Sequence, residues 1–181
     1  MKKTIVKYGL YAALVMVILP MIGWLSASGE MDYKLGEVIG YTTMFLAMIF
    51  VFLGIRDYRN REKDGQLKFV EALKLGLLIA IIPAFAFAVI DQLYVNFINP
   101  DFYDEYYAYS LDQLKAEMSS EEFEQAAAEM EEQKEMFSNP AFQFLIMFIT
   151  VFLVGLIVTV LSGLVLKRND KPEAKLGDTI G

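Results

Sequence analysis

The chain has neither cysteine nor histidine. Without cysteine it can form no disulfide, thiolate nucleophile, iron–sulfur cluster or lipoprotein-type lipid anchor. Without histidine it lacks the imidazole general base, the usual haem ligand and the common zinc sites. Glycine is too thinly spread for a phosphate-cradling loop, since Gly54, Gly65 and Gly76 stand eleven residues apart in the wrong context. No stretch alternates Asp and Asn around a glycine as an EF-hand calcium loop does. The methionines Met44 and Met48 sit in an apolar run and read as packing rather than copper ligands. No catalytic, cofactor-binding or metal-ligating residue is therefore expected. An enzyme acting on lipid would have to rest on Asp and Glu alone, so the non-enzymatic reading is preferred.

What is present is hydrocarbon. Residues 8–29, 38–55, 75–90 and 141–166 carry no charge, and the third run continues mostly apolar to Ile98. Crossing a bilayer takes roughly 17–25 apolar residues in a helix, and each run reaches that length once its flanks are included. The expected architecture is all-α: a single membrane domain over 1–181, with spans at 4–27, 36–55, 70–98 and 141–166. A soluble fold would need four all-round apolar helices in 181 residues at 56% apolar composition, which is the weaker reading. Two of the five prolines, Pro20 and Pro83, fall inside spans and are expected to kink them.

Positive charge sets the orientation. Of sixteen Lys and Arg residues, only Lys34, Lys115 and Lys134 fall on one side of the spans; the other thirteen fall on the opposite side. Basic residues resist translocation, so both termini are expected in the cytoplasm, with 167–181 as a cytoplasmic tail. The first run begins Met-Lys-Lys and ends near Ser26-Ala27-Ser28, the outline of a cleavable signal peptide. Its apolar stretch exceeds the usual 7–15 residues of such a peptide, so it reads as a retained signal anchor.

Residues 101–138 differ from the rest. Twelve acids against two lysines give this segment a net charge of −10, in a chain whose total is −7. It reads as an acidic extracytoplasmic helical hairpin. Ser110-Leu-Asp-Gln113 and Ser119-Ser-Glu-Glu122 fit the capping-box pattern and predict helix starts near each serine. On the second helix Phe123, Ala126 or Ala127, Met130, Lys134 and Phe137 form a thin stripe that must face something. An aromatic cluster precedes it: Tyr94, Phe97, Phe102, Tyr103, Tyr106, Tyr107 and Tyr109. This is expected to be an interfacial belt, the alternative being a stacking surface for a sugar or peptidoglycan ligand. Asn99-Pro100 marks where the third membrane helix stops or bends.

Small residues mark packing faces. Ala72, Gly76, Ala80, Ala84 and Ala88 recur at four-residue spacing on the third span, and Gly155, Thr159 and Gly163 do so on the fourth. Such faces allow close helix approach, within one bundle or against a homo-oligomer or protein partner. Ionisable residues near the membrane are functional candidates. Asp91 is the deepest acid, and three readings stand for it: snorkelling to the interface, cation binding, or pairing with a polar group of another span. At the opposite end, an Arg56–Glu71 ion pair closing the loop is one expectation. Headgroup binding by Arg56, Arg59 and Arg61 is the other. The interior otherwise offers little polarity beyond Thr42, Thr43, Thr150, Thr159 and Ser162.

Several stretches carry a resemblance. Lys7-Tyr-Gly-Leu10, Gly54-Ile-Arg-Asp-Tyr-Arg59, Gly65-Gln-Leu-Lys-Phe-Val-Glu-Ala-Leu-Lys-Leu-Gly76 and Asn99-Pro-Asp-Phe102 resemble the bacterial membrane family catalogued as domain of unknown function 4199. So does the pattern of a capped acidic helix followed by Pro140. The resemblance runs from about Lys7 to Lys167 and implies a four-span protein of the bacterial cytoplasmic membrane, with no activity and no catalytic residues to carry over. The expected function is an accessory or scaffold subunit contacting another membrane or envelope protein. The alternative is an oligomeric cation channel or transporter with an acidic vestibule. The bilayer is the expected surrounding, and nucleic acid is not an expected partner.

Overall fold

The computed structural model describes residues 1–26 and 32–167. Ala27 and Ser28 of the cleavage-like run, and the tail with Arg168, Lys171 and Lys175, lie outside the described residues. The fold is all-α. Among the described residues four helices are long and apolar enough to cross a membrane: α1 (Lys2–Ser26), α2 (Tyr33–Glu62), α3 (Phe69–Leu93) and α6 (Pro140–Leu166). Between the last two lie α4 (Phe102–Glu117) and α5 (Ser120–Phe137), joined by Met118 and Ser119.

Local chemistry sets the ends of these elements. Asp32 caps α2 by accepting from the Leu35 amide at 3.0 Å. Asn139 caps α6, accepting from Ala141 and Phe142 at 2.9 and 3.3 Å, and Pro140 occupies the first turn, where its missing N–H costs nothing. Between α2 and α3 the chain reverses through Asp64 at φ 50° and Gly65 at φ 80°, a left-handed turn that a glycine adopts without a steric penalty. α3 runs on as a π-helical turn, Tyr94–Ile98, closed by the Asn99 amide on the Tyr94 carbonyl at 2.9 Å; Pro100 follows. Both Pro20 and Pro83 are accommodated inside unbroken helices.

The helices run alternately up and down, with α3 packed against α1, α2 and α6. One end of the bundle gathers the start of α1, the α2–α3 loop and the end of α6; we call it the basic end. The other gathers the start of α2, the end of α3, the start of α6 and α4; we call it the aromatic end. Met16, Met48, Val51, Ile55, Leu75, Ile79 and Val151 fill the axis between them, all fully buried. Small residues bring α3 and α6 together. A Cβ added at Gly155 would lie 2.6 Å from Ala80 Cβ, one at Gly163 would lie 3.0 Å from the Phe69 ring, and one at Gly76 would collide with Thr159. Ala72, Ala84 and Ala88 are buried on the same face of α3. Two glycines that the four-residue spacing did not single out also sit at close contacts: Gly54 against Ile79 and Tyr8, and Gly9 against Ile82.

The outer surfaces are apolar. On α6, Leu145, Leu153, Ile157, Leu161, Leu164 and Val165 are about half exposed or more. Such a continuous face suits hydrocarbon rather than water.

One helix start differs from expectation. No helix begins at Ser110, which lies inside α4 and donates its hydroxyl to the Tyr106 carbonyl at 2.9 Å. The helix starts eight residues earlier, after Asp101. Asp104 and Glu105 in its first turn complement the helix dipole, and Phe102, Tyr103, Tyr106, Tyr107 and Tyr109 are among its partly covered residues. The second start is where the capping box places it. Ser119 and Glu122 bond reciprocally across the first turn of α5.

Candidate functional site

Apart from the hydroxyls of Thr43, Thr150, Thr159 and Ser162 inside the spans, the polar groups of the described residues collect at the two ends of the bundle. At the aromatic end, α3 contributes Asp91, α6 contributes Gln143 and α4 contributes Tyr103. Gln143 is 4% exposed, and its amide nitrogen donates to Asp91 Oδ2 at 2.9 Å and to the Tyr103 hydroxyl at 3.0 Å. One amide thus ties two membrane-length helices to the helix lying across their ends. Gln92 Nε2 is buried nearby in sequence without a hydrogen-bond partner among the described residues.

Of the three readings of Asp91, pairing with another span is the one the geometry realises; its carboxylate is turned into the bundle rather than out to the interface. The sequence reading missed Gln143, and placed Tyr103 in the aromatic cluster without its bond to that amide. The signal was there: a lone amide in the first turn of an otherwise apolar run, at the same end as the deepest acid. Gln143 adds one amide to the few hydroxyls expected in the interior; an uncharged amide does not break a charge-free run and so does not stand out.

Two further bonds fasten α4 to the start of α2. Tyr33 donates to Glu105 and Tyr106 donates to Glu37, each at 2.9 Å. Around them Tyr33 packs its ring on Phe102, Tyr106 and Tyr109, and Phe102 packs on Tyr94. Burial and the Glu37 contact push the Tyr106 phenol up to about 12, and burial together with the Asp91 charge holds Tyr103 above the ordinary phenol range. Both stay protonated at any physiological pH, so they act as fixed hydrogen-bonding groups. Tyr94, Phe102, Tyr103, Tyr106 and Tyr109 of the aromatic cluster are thus built into an interface between α4 and the bundle, whereas Phe97 stays exposed.

The helix α5 packs back on α4. Phe123, Ala126, Ala127, Met130, Lys134 and Phe137 are its partly covered residues, and they are the stripe that the spacing isolates. Phe137 meets Tyr103 and Phe142, and Lys134 reaches Asp104 at 2.8 Å, which raises the lysine's proton affinity. The acids Glu121, Glu124, Glu129, Glu131, Glu132 and Glu135 are left exposed on the outside.

At the basic end the expected Arg56–Glu71 pair does not form. Glu71 instead accepts from Lys63 Nζ at 2.5 Å and from the Lys68 amide at 3.2 Å, capping α3. The reason is length: α2 continues about two turns past Arg56 to Glu62, which brings Lys63 rather than Arg56 to the start of α3. Glu62 in turn accepts from Thr4 at 2.7 Å, joining α1 to this corner. Arg59 donates to the Leu166 carbonyl at 3.5 Å and to Asn60 at 3.0 Å. Arg56 is exposed and has no partner among the described residues.

No group of three or more Asp or Glu among the described residues is arranged to hold a metal. The comparison with known proteins agrees with the motifs. The family model described as a protein of unknown function (DUF4199) matches residues 7–168. No curated protein and no solved structure matches the chain.

Proposed function

The chain belongs to the DUF4199 family of unknown function, and from that premise we propose a non-enzymatic accessory or scaffold subunit of the bacterial cytoplasmic membrane. In this reading α1, α2, α3 and α6 cross the bilayer, the basic end lies in the cytoplasm, and α4 and α5 form an acidic element on the outer face. One observation carries it. The α4–α5 element is fastened to the bundle by the Gln143, Tyr33 and Tyr106 contacts, while its acidic side remains uncovered. A charged surface attached in this way is suited to engaging another protein, because charge complementarity selects partners and steers their approach. The small faces of α3 and α6 are consumed inside the bundle. On α2, by contrast, a Cβ added at Gly36 or Gly40 meets nothing within 4 Å, which leaves room for a helix of a partner.

The test is purification in mild detergent from native membranes through a C-terminal tag, followed by mass and composition of the particle. A stoichiometric second protein supports the reading, and its loss on replacing Glu129, Glu132 and Glu135 by glutamine would assign the acidic face. A homogeneous particle containing this chain alone would sink it. The second reading, a cation channel or transporter, has one observation in its favour: Asp91 lies beneath the acidic helices. Since side chains fill the bundle axis, a pore would have to form between copies. It requires cation flux in liposomes that Asp91→Asn alters.

A further inference from the structure

Between α2 and α6 runs a groove of about 290 Å³, open to the outside of the bundle. Phe45, Ile49 and Phe52 form one wall; Val158, Leu161 and Val165 form the other. Phe45, Ile49 and Phe52 alternate at steps of four and three residues, the repeat of a single helical face. Continued by the same steps, that face reaches Arg56 and then Arg59. The apolar groove therefore leads to two arginines at the basic end. Arg59 bridges to the Leu166 carbonyl at the end of the opposite wall, and the exposed Lys167 follows in the chain. Arg56 is exposed and makes no ion pair or hydrogen bond among the described residues.

We propose that this groove holds one anionic phospholipid, with an acyl chain along the α2–α6 seam and its phosphate on Arg56 and Arg59. The inference rests on the membrane reading above and adds a ligand to it. The dimensions agree. From Phe45 to Arg56 is about 16 Å of helix at roughly 1.5 Å per residue, close to half of the roughly 30 Å hydrocarbon core and so the depth of one leaflet. Charge selects among the possible occupants. A second copy docked by a two-fold axis along the bundle would set Arg56 and Arg59 against their own counterparts, whereas an anionic headgroup neutralises them. Arginine also suits phosphate geometrically, since its planar donors can grip two oxygens at once.

Delipidated protein in detergent is melted with added phosphatidylglycerol or phosphatidylcholine, and retained lipid is weighed by native mass spectrometry. Phosphatidylglycerol raises the melting temperature by several degrees and one molecule stays bound; phosphatidylcholine does neither. The Arg56→Gln/Arg59→Gln double variant loses the shift, measured from its own lipid-free melting temperature because Arg59 also holds the Leu166 carbonyl. Val165→Trp, which fills the groove and keeps both arginines, loses it as well. If the double variant does not fold, Arg56→Gln alone, at an exposed site, decides. An equal response to both lipids, or a full shift in the arginine variants, overturns the proposal. So does a doubled particle mass without bound lipid, which would make a second copy the occupant. A carbonate wash of native membranes tests the membrane reading separately: release of the chain defeats that reading, whereas retention with no lipid preference defeats only this inference.

Discussion

Gln143 has a role out of proportion to its chemistry. Its two amide hydrogens serve a carboxylate on α3 and a phenol on α4, so one uncharged side chain positions both. Hydrogen bonds to charged groups are worth about 1.5–3 kcal/mol, and the loss is greatest when the partner is left buried. Gln143→Leu keeps the volume and removes both bonds. It is expected to lower stability in detergent by that amount and to speed amide exchange in the first turns of α4. Asp91→Asn leaves a neutral acceptor for the same amide and is expected to cost less. Equal melting of wild type and Gln143→Leu would mean that α4 is held by its ring contacts alone. Asp91 was legible in the sequence because a charge near the end of an apolar run stands out. Its partner was not, because glutamine is neutral and fifty-two residues away, and nothing in the intervening pattern sets the register of α6 against α3.

At the scale of elements, the two serines of the acidic segment show what a motif can and cannot decide. Both sit in capping-box patterns, but only Ser119 starts a helix. Ser110 follows a run of tyrosines and phenylalanines that gain by packing on Tyr33 and Tyr94, and that tertiary gain carries the helix straight through it. Ser119→Ala removes the cap and should cost α5 about 1 kcal/mol, read as faster exchange confined to its first turn. The bonds from Ser119 hold Glu122 below the ordinary glutamate range. A carboxylate with a depressed folded pKa stabilises the fold above its unfolded pKa, and that contribution fades as pH falls through the folded value. Protection at the start of α5 should therefore decline below the ordinary glutamate range and not above it. The α3–α6 seam makes the opposite kind of prediction. At Gly155 the Met48 sulfur, 3.3 Å from an added Cβ, can shift, but Ala80 Cβ at 2.6 Å has no rotamer to move to. Gly155→Leu must part the helices and is expected to cost at least about 1–3 kcal/mol in a detergent melt. Gly40→Leu, in open space, should melt like wild type.

For the whole molecule, charge and apolar length together determine most of what can be read without coordinates. The four long helices follow from the charge-free runs; the short connections reverse the chain from α1 to α2 and from α2 to α3, while α6 returns only after α4 and α5. What the runs could not convey is how far each helix continues into polar sequence. Here α2 extends through Arg56, Arg59 and Arg61 to Glu62, and that extension moves the corner pair from Arg56 to Lys63. The same geometry sharpens the prediction of sidedness. Lys63, Asp64 and Lys68 sit at the basic end and the exposed acids of α5 at the other, so the two ends should be labelled from opposite sides of the membrane. The absence of native cysteine makes this directly measurable. Asp64→Cys and Glu129→Cys place single thiols at exposed positions of the two ends, far from the core and from the Gln143 contacts. In intact cells stripped of outer barriers, a membrane-impermeant maleimide should label Glu129→Cys and leave Asp64→Cys untouched until the membrane is opened. Labelling in the reverse order would place the acidic helices in the cytoplasm. The −10 charge of residues 101–138 would then face the interior, and both an envelope partner and an outer vestibule would have to be abandoned.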